Sequence, residues 1–270
     1  MRIPRAACIN DLSGFGRCSL TTAIAVLSAS GVQACPVPTA VLSKHTGFDK
    51  FYFRDLTDSM DPYLANWSDL EFDGIYSGFL GSAKQIKAVE KFISNHKNGC
   101  VVIDPVMGDG GKLYATYTEE MQKGMKRLAV MADILTPNIT EACFLTDTPY
   151  RGEEIYPEEA VKLIRKTAEI TSAKIVLTGI VKDDKMINMT YDDGDIRMSE
   201  VNREKQVFSG TGDIFSSVVC AFVLKGRSLH EAVRISGEFI SQAIERTVFS
   251  GTPLSEGVIF EPLLYKLGGK

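Results

Sequence analysis

Six short apolar runs punctuate the chain: AACI (6–9), AVLS (40–43), GIYSG (74–78), VVID (101–104), DILT (133–136) and KIVLTG (174–179). Runs this short, rich in β-branched residues, read as buried strands, and most of them are separated by segments of helical spacing. SLTTAIAVLSASG (19–31) places apolar residues at 20, 24 and 27 and ends in Gly31. SAKQIKAVEKFISNHKNG (82–99) carries Ile86, Val89, Phe92 and Ile93 on one face; Ser82 with Gln85 predicts a capping box, and Gly99 a stop. PEEAVKLIRKTAEI (157–170) opens with Pro157 and two acids, which suit the first turn of a helix.

Strands alternating with helices predict βαβ units, and right-handed crossovers then place helices on both faces of a mostly parallel sheet. KMINMTYDDGDIRMSEV (185–201) departs from that rhythm and reads as an antiparallel hairpin turning at Asp192–Asp195. Two helices in succession follow it, beginning at GTGD and at SLHEA. No linker, repeat or low-complexity tract interrupts residues 1–270, so the expectation is a single α/β domain of three layers.

Composition narrows the partners. A net charge of −4 argues against a nucleic-acid footprint. No apolar run reaches the roughly 18 residues of a membrane helix, and the apolar stretch after Arg2 and Arg5 is too short for a signal peptide. These features predict a cytoplasmic protein that binds small molecules. Cys8, Cys18, Cys35, Cys100, Cys143 and Cys220 form no C-x-x-C pair and read as free, mostly buried thiols; His45, His96 and His230 are too scattered to suggest a metal cluster.

In open α/β sheets ligands bind beyond the carboxyl ends of the strands. Three segments there can carry chemistry. In GTGD (210–213) the apolar spacing of Ile214, Val218, Ala221 and Phe222 starts a helix near Gly212, where free backbone N–H groups and the helix dipole attract an anion. Asp213 would repel an anion, so it is either a capping acid or a general base beside a developing phosphate charge. In DPVMGDGGKLY (104–114) Asp104 ends a strand and GDGG reads as a flexible loop; the segment is either a turn or part of a magnesium–phosphate site. It is not a Walker loop, since Val106 and Leu113 stand where Gly and Ser or Thr are required. In TPNITE (136–141) Asn138 can cap the next helix with Glu141 one turn in, either as a cap and a helpful acid or as holders of a hydrated Mg²⁺. A Rossmann fingerprint fails because GFGRCS (14–19) and GTGDIF (210–215) lack the third glycine, and no G-x-S-x-G elbow is present.

Together, Asn138-Ile-Thr-Glu141 and Gly210-Thr-Gly-Asp213, with KHTGF (44–48), SGFLGSAKQ (77–85) and DPVMGDGGKLY, resemble the ribokinase superfamily and its pyridoxal (pyridoxine, pyridoxamine) kinase branch over roughly residues 5–250. The resemblance implies a ribokinase-like fold and ATP-dependent phosphorylation of the 5′-hydroxymethyl group of a B6 vitamer. It implies that Asp213 is the base and that the amides of Gly210, Thr211 and Gly212 form the anion hole. Asp104, Asn138 and Glu141 would position Mg²⁺–ATP, with Asp104 and Glu141 nearest the metal. Thr178 and Gly179 would line the nucleotide site, and adenine would lie near Val201–Phe208 and the last long helix. Asp11, Ser13, Thr46, Gly47 and Phe79 would line the vitamin pocket, with Val41 a further wall candidate. Many members use a monovalent cation such as K⁺, and the family suggests a homodimer. Two departures matter. DLSGFG (11–16) has Asp11 where many B6 kinases place serine, and it is similar to the glycine-rich opening of hydroxymethylpyrimidine kinases. Those enzymes, however, commonly carry cysteine where this chain has Asp213, and no C-x-G-x-C lid segment is present.

Overall fold

The computed structural model describes residues 2–152, 154–204 and 206–268. In chain order the elements are β1 (Arg5–Ser13), α1 (Ser19–Ala29), β2 (Gln33–Leu42), β3 (Phe53–Asp55), α2 (Thr57–Ala65), β4 (Gly74–Ser77), α3 (Ala83–Asn95), β5 (Cys100–Ile103), β6 (Gly108–Asp109), β7 (Lys112–Leu113), α4 (Glu119–Val130), β8 (Ile134–Leu135), α5 (Ile139–Leu145), α6 (Pro157–Ile170), β9 (Lys174–Lys182), β10 (Lys185–Asp192), β11 (Asp195–Asn202), α7 (Thr211–Leu224) and α8 (Leu229–Ser250). A nine-stranded sheet runs β11-β10-β9-β8-β5-β4-β1-β2-β3. Its centre is parallel from β9 to β2; β3, β10 and β11 pair antiparallel at the two ends.

Strand alternation sorts the core into two faces. Ala6, Cys8, Tyr76, Val102 and Val176 pack with α1, α7 and α8. Ala7, Ile9, Ile75, Val101 and Ile103 pack with α2, α3 and α4, while Ile175, Leu177 and Met189 meet α5 and α6. The expected stripe of α3 is real: Ile86, Val89, Phe92 and Ile93 are buried. Each such side chain contributes about 1.5–3 kcal/mol on burial. Gly124 lets α4 close on this helix, because a Cβ there would lie 2.9 Å from Ile86 Cγ2.

Several local expectations are met residue for residue. Helix α6 spans Pro157–Ile170, and Asp193 and Gly194 (φ 48° and 91°) make the turn between β10 and β11. Others are corrected. Ser82 caps α3 through Gln85 N, but the Gln85 side chain takes the Gly81 N–H (2.7 Å) instead of closing a reciprocal box. The helix stops at Asn95 with His96 as its cap. Gly99 instead lets the chain pass Phe72, whose carbonyl a Cβ would approach to 2.8 Å. GDGG is a small antiparallel hairpin, β6–β7, not a loop without structure. The strand expected over 174–179 is longer: β9 runs on to Lys182, with Thr178 and Gly179 (φ 76°) bulged opposite Asn188. All six cysteines are free; Cys35 and Cys100 are half-buried and the other four buried.

Candidate functional site

Along the carboxyl edge of the parallel strands, α7 presents its N-terminus. Gly210 is the N-cap at φ 82° and supplies no side-chain oxygen to the first turn. Only glycine fits there: a Cβ would lie 1.9 Å from the Arg17 carbonyl. A Cβ on Gly212 would meet nothing within 4 Å, and the Thr211, Gly212 and Asp213 N–H groups precede the first intrahelical bond, Ile214 N–H to Gly210 O. This is the geometry of an anion cradle, with the helix dipole adding positive character.

Asp213 lies at the rim of that cradle. Asn10, at the irregularity in β1 where the pairing with β2 shifts register, donates its Nδ2–H to Asp213 Oδ1 at 3.1 Å. Burial raises the Asp213 carboxyl to about 6; the Ser19 N–H and the Asn10 amide pull it back, while the Asp11 charge adds to the rise. Ser19 holds its N–H there from a left-handed backbone (φ 52°). Asp11 is buried, accepts the Ser13 hydroxyl at 2.8 Å, and is raised chiefly by desolvation. Phe79 is half-buried, and its N–H donates to Asn10 Oδ1 at 2.9 Å. These contacts join Asp213, Asp11, Ser13 and Phe79 into one network.

Asp104 follows β5. Its Oδ2 accepts the Ser216 hydroxyl of α7 at 3.0 Å, and Ser216 Oγ is 3.0 Å from Thr136 Oγ1. Burial, then the Asp213 charge, push Asp104 up to about 8 against the pull of Ser216. Glu141 and Asn138 form the full capping box of α5: Glu141 Oε2 accepts Asn138 N–H and Asn138 Oδ1 accepts Glu141 N–H, both at 2.9 Å. The same two side chains hold the loop before and into β6. Glu141 Oε1 accepts the Met107 N–H at 3.1 Å, and Asn138 Nδ2 donates to Gly108 O at 3.0 Å. Burial and then the Asp104 charge push Glu141 well up, with the Asn138 and Met107 N–H groups opposing. Thr178 joins this arm through a parallel bridge to Asn138 and an N–H bond to Pro137 O at 3.0 Å. Gly179 makes its bulge beside it.

Thr46 and Gly47 are exposed on the loop after β2. His45, which the sequence reading passes over, organises that loop. Its Nδ1 accepts the Gly47 N–H (3.0 Å), which leaves Nε2 as donor to Ser255 O (2.6 Å). Gly16 yields room for the ring: a Cβ would lie 2.3 Å from His45 Cδ2. Val41 is exposed. Of the stretch expected to meet adenine, Phe208 is buried in the core with α1 and α7 and Val207 is 76% exposed. Lys205 lies outside the described residues. A cleft of about 280 Å³ between β10, β11 and α8 is lined by Lys185, Asn202, Glu238 and Gln242, with Val201 its one apolar residue. That lining is more polar than an apolar adenine slot.

Asn10 is the second residue the sequence reading missed. A polar residue at a strand end looks like turn chemistry, and its partners lie 69 and 203 positions away.

Comparison with known proteins gives the chain its family. A Bacteroides thetaiotaomicron protein, provisionally named a phosphomethylpyrimidine kinase, is 36% identical, with a TM-score of 0.95 over 100% of this chain and 96% of that one. Its orthorhombic form with pyridoxal superposes with a TM-score of 0.92 over 99% and 96% of the two chains. Pyridoxal kinase from Lactobacillus plantarum is 26% identical, with a TM-score of 0.91 over 99% and 97%. Pyridoxine kinase from Bacillus subtilis is 29% identical over 195 residues, 71% of each protein. The multifunctional thiamine biosynthesis protein ThiED of Corynebacterium glutamicum is 28% identical over 250 residues; the match covers 89% of this chain but only 32% of that protein's length. The family model for phosphomethylpyrimidine kinase matches residues 18–256, and the chain belongs to that family, a pyridoxal kinase-like phosphotransferase of the ribokinase superfamily.

Proposed function

We propose that residues 1–270 form one kinase domain that transfers the γ-phosphoryl group of ATP to the 5′-hydroxymethyl group of a B6 vitamer. The carrying observation is the placement of a half-buried carboxylate, raised to about 6, against the open first turn of α7. A base of that strength is ionised at neutral pH yet able to accept an alcohol proton as the oxygen attacks phosphorus. The hydroxymethyl proton passes to Asp213, the vitamer oxygen bonds to the γ-phosphorus, and the bond to the ADP oxygen breaks. The N–H groups of Thr211, Gly212 and Asp213 face the charge on the phosphoryl in transit, while Gly210 sets the turn that exposes them. Positioning and charge stabilisation do most of the work in this class of reaction. Asp11, Ser13, Thr46, Gly47 and Phe79 would line the vitamer; Asn138, Thr178 and Gly179 would face the nucleotide.

The site suits a hydrated Mg²⁺. Asp104 and Glu141 are buried carboxylates; the Asp213 charge raises Asp104 and the Asp104 charge raises Glu141, a crowding that a divalent cation relieves. Both Glu141 oxygens already accept backbone N–H groups. Among the described residues no cluster of three His, Cys, Asp or Glu could cage a metal. Asp104 would therefore hold the ion mainly through water, with Glu141 behind it. When bound, the ion neutralises phosphate charge.

Support for a B6 vitamer comes from the 36%-identical B. thetaiotaomicron structure with pyridoxal, and from Asp213 in place of the cysteine common in hydroxymethylpyrimidine kinases. A second reading, phosphorylation of hydroxymethylpyrimidine, is supported by the Staphylococcus aureus hydroxymethylpyrimidine/phosphomethylpyrimidine kinase, 30% identical over 196 residues. Both substrates offer a hydroxymethyl group on an aromatic nitrogen heterocycle. Measuring kcat/KM for pyridoxal, pyridoxine, pyridoxamine and hydroxymethylpyrimidine with Mg²⁺–ATP separates them. The expected result is the highest value with a B6 vitamer; a clear advantage for the pyrimidine overturns the first reading.

A further inference from the structure

Asn10 stands at the junction of three remote segments. It is 1% exposed, and every polar atom of its side chain is engaged. Nδ2 donates to Asp213 Oδ1 at 3.1 Å; Oδ1 accepts the N–H of Asp11 and the N–H of Phe79, both at 2.9 Å. The two backbone donors fix which end of the amide is oxygen, since a flipped amide would set NH₂ against two N–H groups and oxygen against a carboxylate. Its orientation is thus dictated by backbone, not by Asp213. Gly78 makes the space: a Cβ there would lie 2.4 Å from Asn10 Nδ2 and 2.8 Å from its Cγ. Gly78 does not have a positive φ, so its lack of a side chain serves this clearance.

We propose that Asn10 is the positioning residue of the base: an amide clamped by the Asp11 and Phe79 backbone holds the Asp213 carboxylate in the orientation that accepts the substrate proton. The clamp ties two pocket-lining segments to the first turn of α7. A segment displaced by a badly seated substrate would therefore move the base as well. Asn10 need not touch substrate for this. The inference rests on the reading of Asp213 as base.

The test compares Asn10→Asp, Gly78→Ala, Asp213→Asn and the exchanged pair Asn10→Asp/Asp213→Asn in the full chain, by steady-state kinetics with pyridoxal and ATP and by thermal melting. Asn10→Asp keeps an oxygen for the Asp11 and Phe79 N–H groups but sets a second carboxyl where the donor to Asp213 stood, so the base loses its clamp and meets a like charge; the neutral Gly78→Ala displaces the amide without that charge. The kcat of Asn10→Asp is expected to fall about 10- to 100-fold, a share of what positioned proton transfer supplies, while KM for ATP stays within about twofold. Gly78→Ala alters no polar group and is expected to show the same split, because it displaces the amide. The exchanged pair rebuilds the 10–213 hydrogen bond with donor and acceptor reversed, so it should recover the melting temperature without turnover. If Asn10→Asp and Gly78→Ala both retain kcat within about threefold of the parent, the proposal is overturned. Should Asn10→Asp fail to fold, the exchanged pair decides: folding supports the proposal, and failure makes Asn10 a scaffold residue of β1 and sinks it. Asp213→Asn separates the two levels. If it stays active, the reading of Asp213 as base fails; if it is inactive while Asn10→Asp is unimpaired, only the positioning role fails.

Discussion

At the scale of single residues, Asp213 carries a measurable signature. Burial lifts its carboxyl from an ordinary value of 3.8 to about 6, so the base is lost as pH falls through 6, not through 4. The kcat/KM profile for the vitamer should show an acid limb near pH 6, with the rate at pH 5 about tenfold below plateau. Asp213→Asn should remove the limb together with about 10²- to 10⁴-fold of kcat. A limb near 4 would mean that the free enzyme does not enclose the group. The presence of an acid beside glycines was legible in GTGD. The reason for the first glycine was not, because the Arg17 carbonyl that excludes a Cβ comes from a loop 193 positions earlier in the chain. Asn10 and His45 were illegible on the same ground: each is an ordinary polar residue until folding supplies its partners.

At the scale of elements, Asn138 does two jobs that one hydrogen-bond inventory separates. Its Oδ1 caps α5, and its Nδ2 anchors the β6–β7 hairpin through Gly108 O. Asn138→Ser restores a cap but not the anchor; Asn138→Ala loses both. Cap loss costs about 0.5–2 kcal/mol, and the anchor about 0.5–1.5 kcal/mol as a net neutral hydrogen bond. Urea denaturation should rank stability Asn above Ser above Ala, with KM for ATP raised in both variants and KM for the vitamer little changed. Equal stability for Asn and Ser would show the anchor idle. The capping pattern N-I-T-E was readable because it is local. The hairpin was not: two-residue strands carry no periodicity, and GDGG looks like any flexible turn. The same applies to β3, with three exposed residues, and to α2, which contains Pro62 and buries only Met60 and Leu64. Longer elements such as α3 and α6 were legible because an apolar stripe and its caps agree.

At the scale of the whole molecule, the sheet order converts scattered acids into one charge cluster. The parallel neighbours β1, β4, β5 and β8 bring the segments after them to one edge, and α7 lays Asp213 and Ser216 across it. The alternation of strands and helices foretold that edge, but not which carboxylates would share it. Their crowding has a thermodynamic consequence. Asp104 is raised from 3.8 to about 8, first by burial and then by Asp213, so its proton favours the folded state. That stability is fully present below about pH 4 and drains away as pH rises to 8, the reverse of a salt-bridged carboxylate. Asp104→Asn keeps the shape without the charge. It should therefore melt above the parent at pH 8, with the gap closing by pH 5; about 1 kcal/mol corresponds to roughly 2–4 °C in a chain of this size. Mg²⁺ should raise the parent's melting temperature at pH 8 more than at pH 5 and leave Asp104→Asn largely unmoved, since the ion and the substitution relieve the same repulsion. The variant should nonetheless lose activity, because the carboxylate charge it removes is what would attract the metal. Melting scans at the two pH values, with and without Mg²⁺, decide the matter: parallel curves for the two proteins would mean that the buried acids are neutralised by some means other than a proton or a cation at Asp104.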